Sequence, residues 1–271
     1  MITPSTQNVI REQSAEKSRP PIVVVLGHVD HGKSSLLEAI KQDFKITSRE
    51  SGGITQHIGA YEAEYQGKKI TFIDTPGHEV FSEMRSRGAK AADIAILVVA
   101  ADEGVKPQTV EAIQQAKMAG VPIVVAINKS DKPEANTERV KQELAQHEIF
   151  AESFGGKVPV IETSAVTKQG ITDLLEMILL MADMESLPAN ADKPGEGLII
   201  EASVDSQRGP AVTLLLLQGK IRVEDRIVTK SAAGKVRIME NVQGELIEEA
   251  VPSQPGVAIG FEKCPRVGET F

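Results

Sequence analysis

A single cysteine, Cys264, in a chain of 271 residues excludes an internal disulfide and leaves no set of thiolates for a structural zinc site. The histidines His28, His31, His57 and His78 are too few and too scattered to replace such a set, so zinc ligation is set aside. The chain also lacks any run of about eighteen apolar residues, and no charged-then-apolar stretch follows Met1. A soluble, cytoplasmic protein with no membrane partner is the expectation. Basic residues are outnumbered: 30 Lys and Arg against 38 Asp and Glu give a net charge of -8. That balance argues against gripping DNA, or any naked nucleic acid, by bulk electrostatics, and it leaves room for local patches that dock on a larger particle.

What the chain does contain is Gly27-His28-Val29-Asp30-His31-Gly32-Lys33-Ser34, set between five apolar residues, Ile22 to Leu26, and Leu36, Leu37 and Ile40 at helical spacing. The order is strand, phosphate loop, helix. Glycine is needed at both ends because the backbone curls with its N–H groups pointing inward around a polyphosphate, where a Cβ would block the approach. Val29, Asp30, His31, Gly32, Lys33, Ser34 and Ser35 are therefore the candidate cradle. Lys33 brings charge to the β and γ phosphates, and the Ser34 hydroxyl is a candidate ligand for the Mg2+ that bridges them.

Phosphate loops serve ATP and GTP alike, so a kinase, an ATPase and a GTP switch all stay open on this motif. Asn128-Lys129-Ser130-Asp131, placed after the apolar run Ile123 to Ile127, chooses among them. It falls at the C-terminal end of a parallel-type strand, where open α/β sheets bind ligands. A carboxylate at Asp131 accepts from the ring N–H and the exocyclic amine of guanine, a donor pair that adenine lacks. The Lys129 stem packs on the base, and Asn128 ties this loop to the phosphate loop. Such a site rejects the wrong base by about 10⁴-fold, because the carboxylate would otherwise be left buried and unpaired. Ser164-Ala165-Val166, after the strand-like run Val158 to Thr163, offers backbone N–H groups to the guanine carbonyl.

Asp74-Thr75-Pro76-Gly77-His78 follows another strand-like run, Ile70 to Ile73, and so brings an acid and a glycine to the same sheet edge. Asp74 would hold Mg2+ through water, Gly77 would present its N–H to the γ phosphate, and His78 would orient the attacking water. Between the phosphate loop and this acid lies Ser51-Gly52-Gly53-Ile54-Thr55-Gln56-His57, whose Thr55 is the candidate to reach Mg2+ and the γ phosphate. Arg85 and Arg87 read as a solvated helix face or docking surface rather than as arginine fingers.

Residues 1–20 are polar and end in Arg19-Pro20-Pro21, so a disordered arm is expected there. Residues 21–184 alternate strand-like and helical runs, the pattern of a doubly wound, mostly parallel α/β domain that binds the nucleotide. In it Pro107 opens a helix that Gly120 ends, and Thr172 caps a last helix carrying Leu174, Leu175, Ile178 and Leu179. Residues 185–197, with two prolines and two glycines, read as a linker. Residues 198–271 hold short strand-like runs, Leu198 to Val204, Ala211 to Leu217, Arg226 to Thr229, Val236 to Met239 and Val257 to Phe261, which spells a small all-β barrel.

Taken together, these motifs resemble the translational GTPases. Gly53-Ile54-Thr55-Gln56-His57-Ile58-Gly59-Ala60, Thr75-Pro76-Gly77-His78-Glu79-Val80-Phe81 and Lys129-Ser130-Asp131-Lys132-Pro133-Glu134-Ala135-Asn136 look like the bacterial-type initiation factor branch. The elongation factors of the same family are the alternative. The resemblance implies GTP and GDP as ligands with Mg2+, slow hydrolysis that the ribosome stimulates, and a role in initiator tRNA placement and subunit joining. It also implies an apolar gate, Val29 and Ile54, in front of His78, and an alkali cation near Asp30. The expected partners are the guanine nucleotide, both ribosomal subunits and, through domains absent from this chain, initiator tRNA; the chain itself is expected to be a monomer, bacterial or organellar. A nucleotide-gated docking module with negligible hydrolysis is a further alternative. Two positions depart from the family pattern: Val166 stands where lysine is usual, and Phe154 where tryptophan is frequent.

Overall fold

The computed structural model describes residues 17–43, 59–74, 92–190 and 193–271. Its first element is a short strand, β1 (Lys17–Ser18), followed by β2 (Ile22–Gly27), helix α1 (Lys33–Asp43), β3 (Gly59–Tyr65), β4 (Lys68–Asp74) and β5 (Ile94–Ala100). Then come α2 (Pro107–Ala119), β6 (Ile123–Asn128), α3 (Thr137–Gln146), β7 (Val160–Glu162) and α4 (Ile171–Glu185). The six strands β3-β4-β2-β5-β6-β7 form one sheet in that spatial order, parallel throughout except for β3, which runs antiparallel to β4.

Buried on both faces, β2 and β5 can be apolar at every position, and they are. Successive side chains of a strand point to opposite faces, so each strand contributes to two cores. Val23, Val25, Ile96 and Val98 meet Leu36, Leu37 and Ile40 of α1 and Leu174, Leu175 and Ile178 of α4. Val24, Leu26, Leu97 and Val99 meet Ala112, Ile113 and Ala116 of α2 and Val140 and Leu144 of α3 on the other side. Burying each of these large aliphatic side chains contributes roughly 1.5–3 kcal/mol. The doubly wound expectation is met, with the neighbours β4 and β5 flanking β2 so that the crevice opens at its C-terminal end, beside the phosphate loop.

Helix α2 begins on Pro107 and is ended by Gly120 at φ +69°, as the sequence indicated. Helix α4 starts differently. Gly170, at φ +70°, occupies the cap position and Thr172 falls inside the first turn. A Cβ at residue 170 would collide with the Glu162 carbonyl oxygen, so close approach to β7 rather than a hydroxyl cap decides where this helix begins.

Residues 17–20 correct the expected arm. Strand β1 pairs antiparallel with β8 (Pro188–Ala189), which lies in the stretch read as linker, and Arg19 N–H donates to the Leu187 carbonyl at 3.0 Å. A polar tetrapeptide builds no core, yet its backbone still pairs, and composition is blind to that. The linker is shorter than read at its far end too, because β9 (Glu196–Asp205) opens two residues before Leu198.

After β9 come β10 (Gly209–Gln218), β11 (Ile221–Arg222), β12 (Arg226–Val228), β13 (Ala233–Asn241), β14 (Glu249–Ala250) and β15 (Pro255–Phe261). Five of them form an antiparallel sheet in the order β12-β13-β15-β10-β9, and β11 pairs with β14 as a separate ribbon. This half-barrel closes over Val212, Leu214, Leu216, Val236, Met239 and Phe261. Its residues Leu198, Ile200 and Leu215 belong to the same buried cluster as Ile22, Ile73 and Ala92 of the first domain, so the second domain is packed onto the first.

A polar knot reinforces that packing. Both terminal guanidinium nitrogens of Arg19 donate to Asp93, at 2.6 and 2.7 Å, and Asp93 also accepts from Ile22 N–H at 2.8 Å. Ser253, which is fully buried and stands at φ +66°, donates its hydroxyl to Pro20 O at 2.6 Å and accepts at its carbonyl from the Thr71 hydroxyl at 2.5 Å. One serine of the half-barrel thus holds the segment before β2 and strand β4 together.

Candidate nucleotide site

The C-terminal ends of β2, β4, β6 and β7 carry the described residues that the sequence nominated. Gly27 closes β2 at φ +137°, and a Cβ there would collide with the Val98 carbonyl oxygen on β5. The chain then turns through a single 3-10 turn, Val29–His31, and reaches Gly32 at φ +82°. A Cβ on Gly32 would lie 2.5 Å from Asn128 Nδ2. Both glycines are therefore demanded by neighbouring strands as well as by anything the loop encloses.

Lys33 opens α1 and sends its ammonium back across its own loop, donating to Gly27 O at 2.9 Å and His28 O at 2.7 Å. That fold-back plants a positive charge in the mouth of the loop. Ser34 and Ser35, next along the helix, are exposed, and so are Val29 and Asp30. Val29 N–H donates to Gln108 Oε1 at 3.2 Å, which anchors the turn to α2.

His31 is fully buried, with Nδ1 3.3 Å from the Val98 carbonyl. A carbonyl only accepts, so the proton sits on Nδ1 and Nε2 is left as a buried acceptor with no partner among the described residues. Burial pushes the His31 pKa down to about 4, and the ring is neutral at physiological pH. It serves the loop as a packed wedge, not as a cation.

Asp74 ends β4 opposite Val25 of β2 and is nearly buried. The Asp74 carboxylate at the end of β4 and the Ser34 hydroxyl at the start of α1 are hard oxygen donors at the same edge of the sheet, a chemistry that suits Mg2+. Thr55, the third nominated metal ligand, lies outside the described residues, as do Ile54, Gly77, His78, Arg85 and Arg87.

The base-side loop is joined to the phosphate loop by Asn128, whose Nδ2 donates to His31 O at 3.0 Å and Gly32 O at 3.4 Å. Ser130 reaches the other way, its hydroxyl donating to Thr163 O at 2.9 Å. Asp131 accepts at Oδ1 from the Ser164 hydroxyl at 2.6 Å, and that hydroxyl in turn accepts from Thr167 N–H at 3.0 Å. Each carboxylate oxygen can accept more than one bond, so Ser164 orients Asp131 and leaves it acceptor capacity for a base. One nominated role changes. Ser164 N–H is committed to Gln169 O at 3.0 Å, so a donor to a guanine carbonyl has to come from Ala165 or the exposed Val166.

Sequence reading missed two acids. Asp102 and Glu103, just past β5, face the lysines of the base loop: Lys132 Nζ is 2.6 Å from Asp102 Oδ2 and Lys129 Nζ 3.2 Å from Glu103 Oε1. Burial disfavours the charged form of both, but Lys132 beside Asp102 and Lys129 beside Glu103 outweigh it and hold both carboxyls below their ordinary range. Their signal was present, since Asp102-Glu103-Gly104 follows directly on strand β5, at the same edge as the other motifs.

Comparison with known proteins agrees with this geometry. The family model of the elongation factor Tu GTP binding domain matches residues 18–184, and that of elongation factor G domain 2 matches residues 194–271. A protein named translation initiation factor IF-2 from Lachnoclostridium phytofermentans is 58% identical over 253 residues, which cover 93% of this chain and 22% of the relative. Its namesake from Geobacillus kaustophilus is 54% identical over 93% of this chain and 36% of its own length. The chain thus spans well under half the length of these relatives. Among solved structures, GDP-bound aIF5B from Aeropyrum pernix matches with a TM-score of 0.72 and 29% identity, covering 94% of this chain and 54% of that one. Elongation factor SelB from Methanococcus maripaludis, in complex with the GTP analogue GppNHp, matches with a TM-score of 0.75 and 25% identity, covering 94% and 55%. The phosphate loop, the guanine-type loop and both family matches lead to one statement: this chain belongs to the translational GTPases built on the elongation factor Tu GTP binding domain and resembles translation initiation factor IF-2.

Proposed function

We propose that the chain binds GTP with Mg2+ and hydrolyses it to GDP and phosphate as the nucleotide switch of a bacterial-type initiation factor. The observation that carries this reading is the Asn128 bridge to His31 O and Gly32 O, which fixes the base loop and the phosphate loop as two walls of one site. Asp131, steadied by Ser164, reads guanine; Lys129 covers the base; Lys33 and the backbone around Gly32 receive the phosphates. Ser34, Asp74 and Thr55 would hold Mg2+, which supplies charge neutralisation at the phosphates. His78 orients the attacking water behind a gate of Val29 and Ile54, and Gly77 meets the γ phosphate. An alkali cation near Asp30 completes the set.

The division of labour we propose assigns residues 21–184 to the nucleotide and residues 198–271 to the half-barrel beside it, supported by family matches over residues 18–184 and 194–271. In the cell the reading is of a cytoplasmic monomer whose hydrolysis the ribosome accelerates and whose longer form places initiator tRNA and promotes subunit joining. The IF-2 relatives support this over an elongation factor. Among the described residues no helix is long and apolar enough to cross a membrane.

The test is a change of base preference. Asp131→Asn should weaken GDP binding by about 10²-fold or more and admit xanthosine diphosphate in its place, because the amide offers a donor where guanine also donates. Calorimetric titration of both proteins with GDP, xanthosine diphosphate and ADP measures it; guanine preference that survives the substitution defeats the assignment.

A further inference from the structure

The loop after β5 is fastened far more tightly than a surface connection requires. Glu103 N–H and Gly104 N–H both donate to Ala100 O, at 3.3 and 2.9 Å, making a tight turn directly off the strand. Gly104 stands at φ +79°, and a Cβ there would strike the carboxylate of Glu143 on α3, the same carboxylate that accepts from Val105 N–H at 2.7 Å. Arg139, one helical turn before Glu143, donates to Asp102 O at 3.0 Å, and Asn136 N–H donates to Ala101 O at 3.0 Å. Helix α3 therefore braces this loop from behind.

What the braced loop presents is Glu103, and what Glu103 meets is Lys129. The Lys129 backbone sits at φ +60°, a conformation that costs a residue with a Cβ and persists where the surroundings enforce it. Its ammonium is 3.2 Å from Glu103 Oε1 and 4.0 Å from Asp102 Oδ1, while Asp102 is chiefly occupied with Lys132 at 2.6 Å. Glu103 is the nearer partner. A free lysine stem samples many rotamers, so a stem that is to lie flat on a base must have its far end held, or binding has to supply the ordering. An anchored ammonium leaves the four methylenes as a fixed apolar strip.

We propose that Glu103 is a positioning residue of the base site, holding Lys129 extended before a nucleotide arrives and so slowing its departure. The proposal rests on the guanine reading of Asn128 to Asp131, and it adds a residue outside that motif. Because the anchored group is a stacking stem and not a hydrogen-bonding reader, its loss should act on any purine diphosphate carrying the keto edge. Inosine diphosphate, which lacks the exocyclic amine, should feel it as much as GDP.

The experiment is release of a fluorescent GDP analogue and of its inosine counterpart, chased by excess unlabelled nucleotide, from this chain and its variants. Glu103→Gln should speed release of both by about fivefold, and Glu103→Asp, which keeps the charge a methylene farther back, should fall between. Lys129→Ala should release faster as well, and adding Glu103→Gln to it should change the rate less than twofold, since the acid acts through the lysine. Glu103→Ala repeats the measurement should the Gln variant fold poorly. Wild-type chain that holds no GDP would remove the guanine reading itself. Wild-type chain that holds GDP while the Glu103 variants release it at the parental rate would remove the Glu103 role alone. A full fivefold effect persisting without Lys129 would assign Glu103 to loop folding and overturn the proposal.

Discussion

His31 shows how a single side chain in a phosphate loop can be structural. It is buried against Val98 and Asn128 holds its carbonyl, so the loop is shaped around a neutral imidazole. Its pKa lies near 4 in the folded chain against about 6.5 unfolded, so the unfolded state binds the proton more readily. The associated stability, roughly 3 kcal/mol, is complete above pH 6.5 and is lost progressively as pH falls from there through 4. Urea unfolding of wild type and His31→Gln at pH 7.5, 6 and 5 checks this: the difference between them should shrink with acidity, and parallel curves would contradict it. At this scale the sequence was readable where a residue type has one use, as with Lys33, Asn128 and Asp131. It showed Asp102 and Glu103 only by their place after a strand, and it nominated Ser164 for its backbone while missing the hydroxyl that orients Asp131, because these pairings arise from what the residues face across the fold and not from neighbours in the chain.

Elements add a constraint that motifs do not express. Gly27 is both the first residue of the phosphate motif and the last of β2, and its missing Cβ is what lets β5 close against it. Gly27→Ala should therefore cost about 3 kcal/mol or more, from a backbone at φ +137° and a collision with the Val98 carbonyl, besides abolishing GDP binding. Denaturant melts separate the two effects, because a variant that lost only ligand contacts would unfold at the parental midpoint. Apolar runs made β2, β4 and β6 evident, as did the short strands of the half-barrel. Strand β3 escaped because Glu62 and Glu64 interrupt it with the polar alternation of an edge strand, and β11 and β14 are too short to carry any period. The start of α4 was misjudged for a related reason, since the close passage of Gly170 over β7 leaves no mark in local sequence.

At the scale of the whole molecule, the segment ahead of β2 is a working part. Arg19 and Asp93 are 13% and 11% exposed, and removing one partner of so nearly buried a pair leaves the other uncompensated. Arg19→Ala should cost about 3 kcal/mol and lower Tm by about 8 °C for a chain of this size, with the half-barrel more readily cleaved from its neighbour by protease. Calorimetry with limited proteolysis measures both, and an unaltered melt would show that apolar packing alone carries the interface. No local pattern announces this knot, because Arg19, Asp93 and Ser253 are brought together only by the finished fold.

Strand β4 enters that knot through Thr71 and ends at Asp74, and Asp74 pairs across the sheet with Gly59, the first residue of β3. Residues 44–58 rejoin the described fold on the very rung from which residues 75–91 depart. Gly59 and Asp74 are thus one rung of the sheet, so the end of β4 that carries the nominated acid is held by the start of β3. The half-barrel grips the same strand at Thr71, three residues behind Asp74, so the second domain and the nominated acid share one strand as their support.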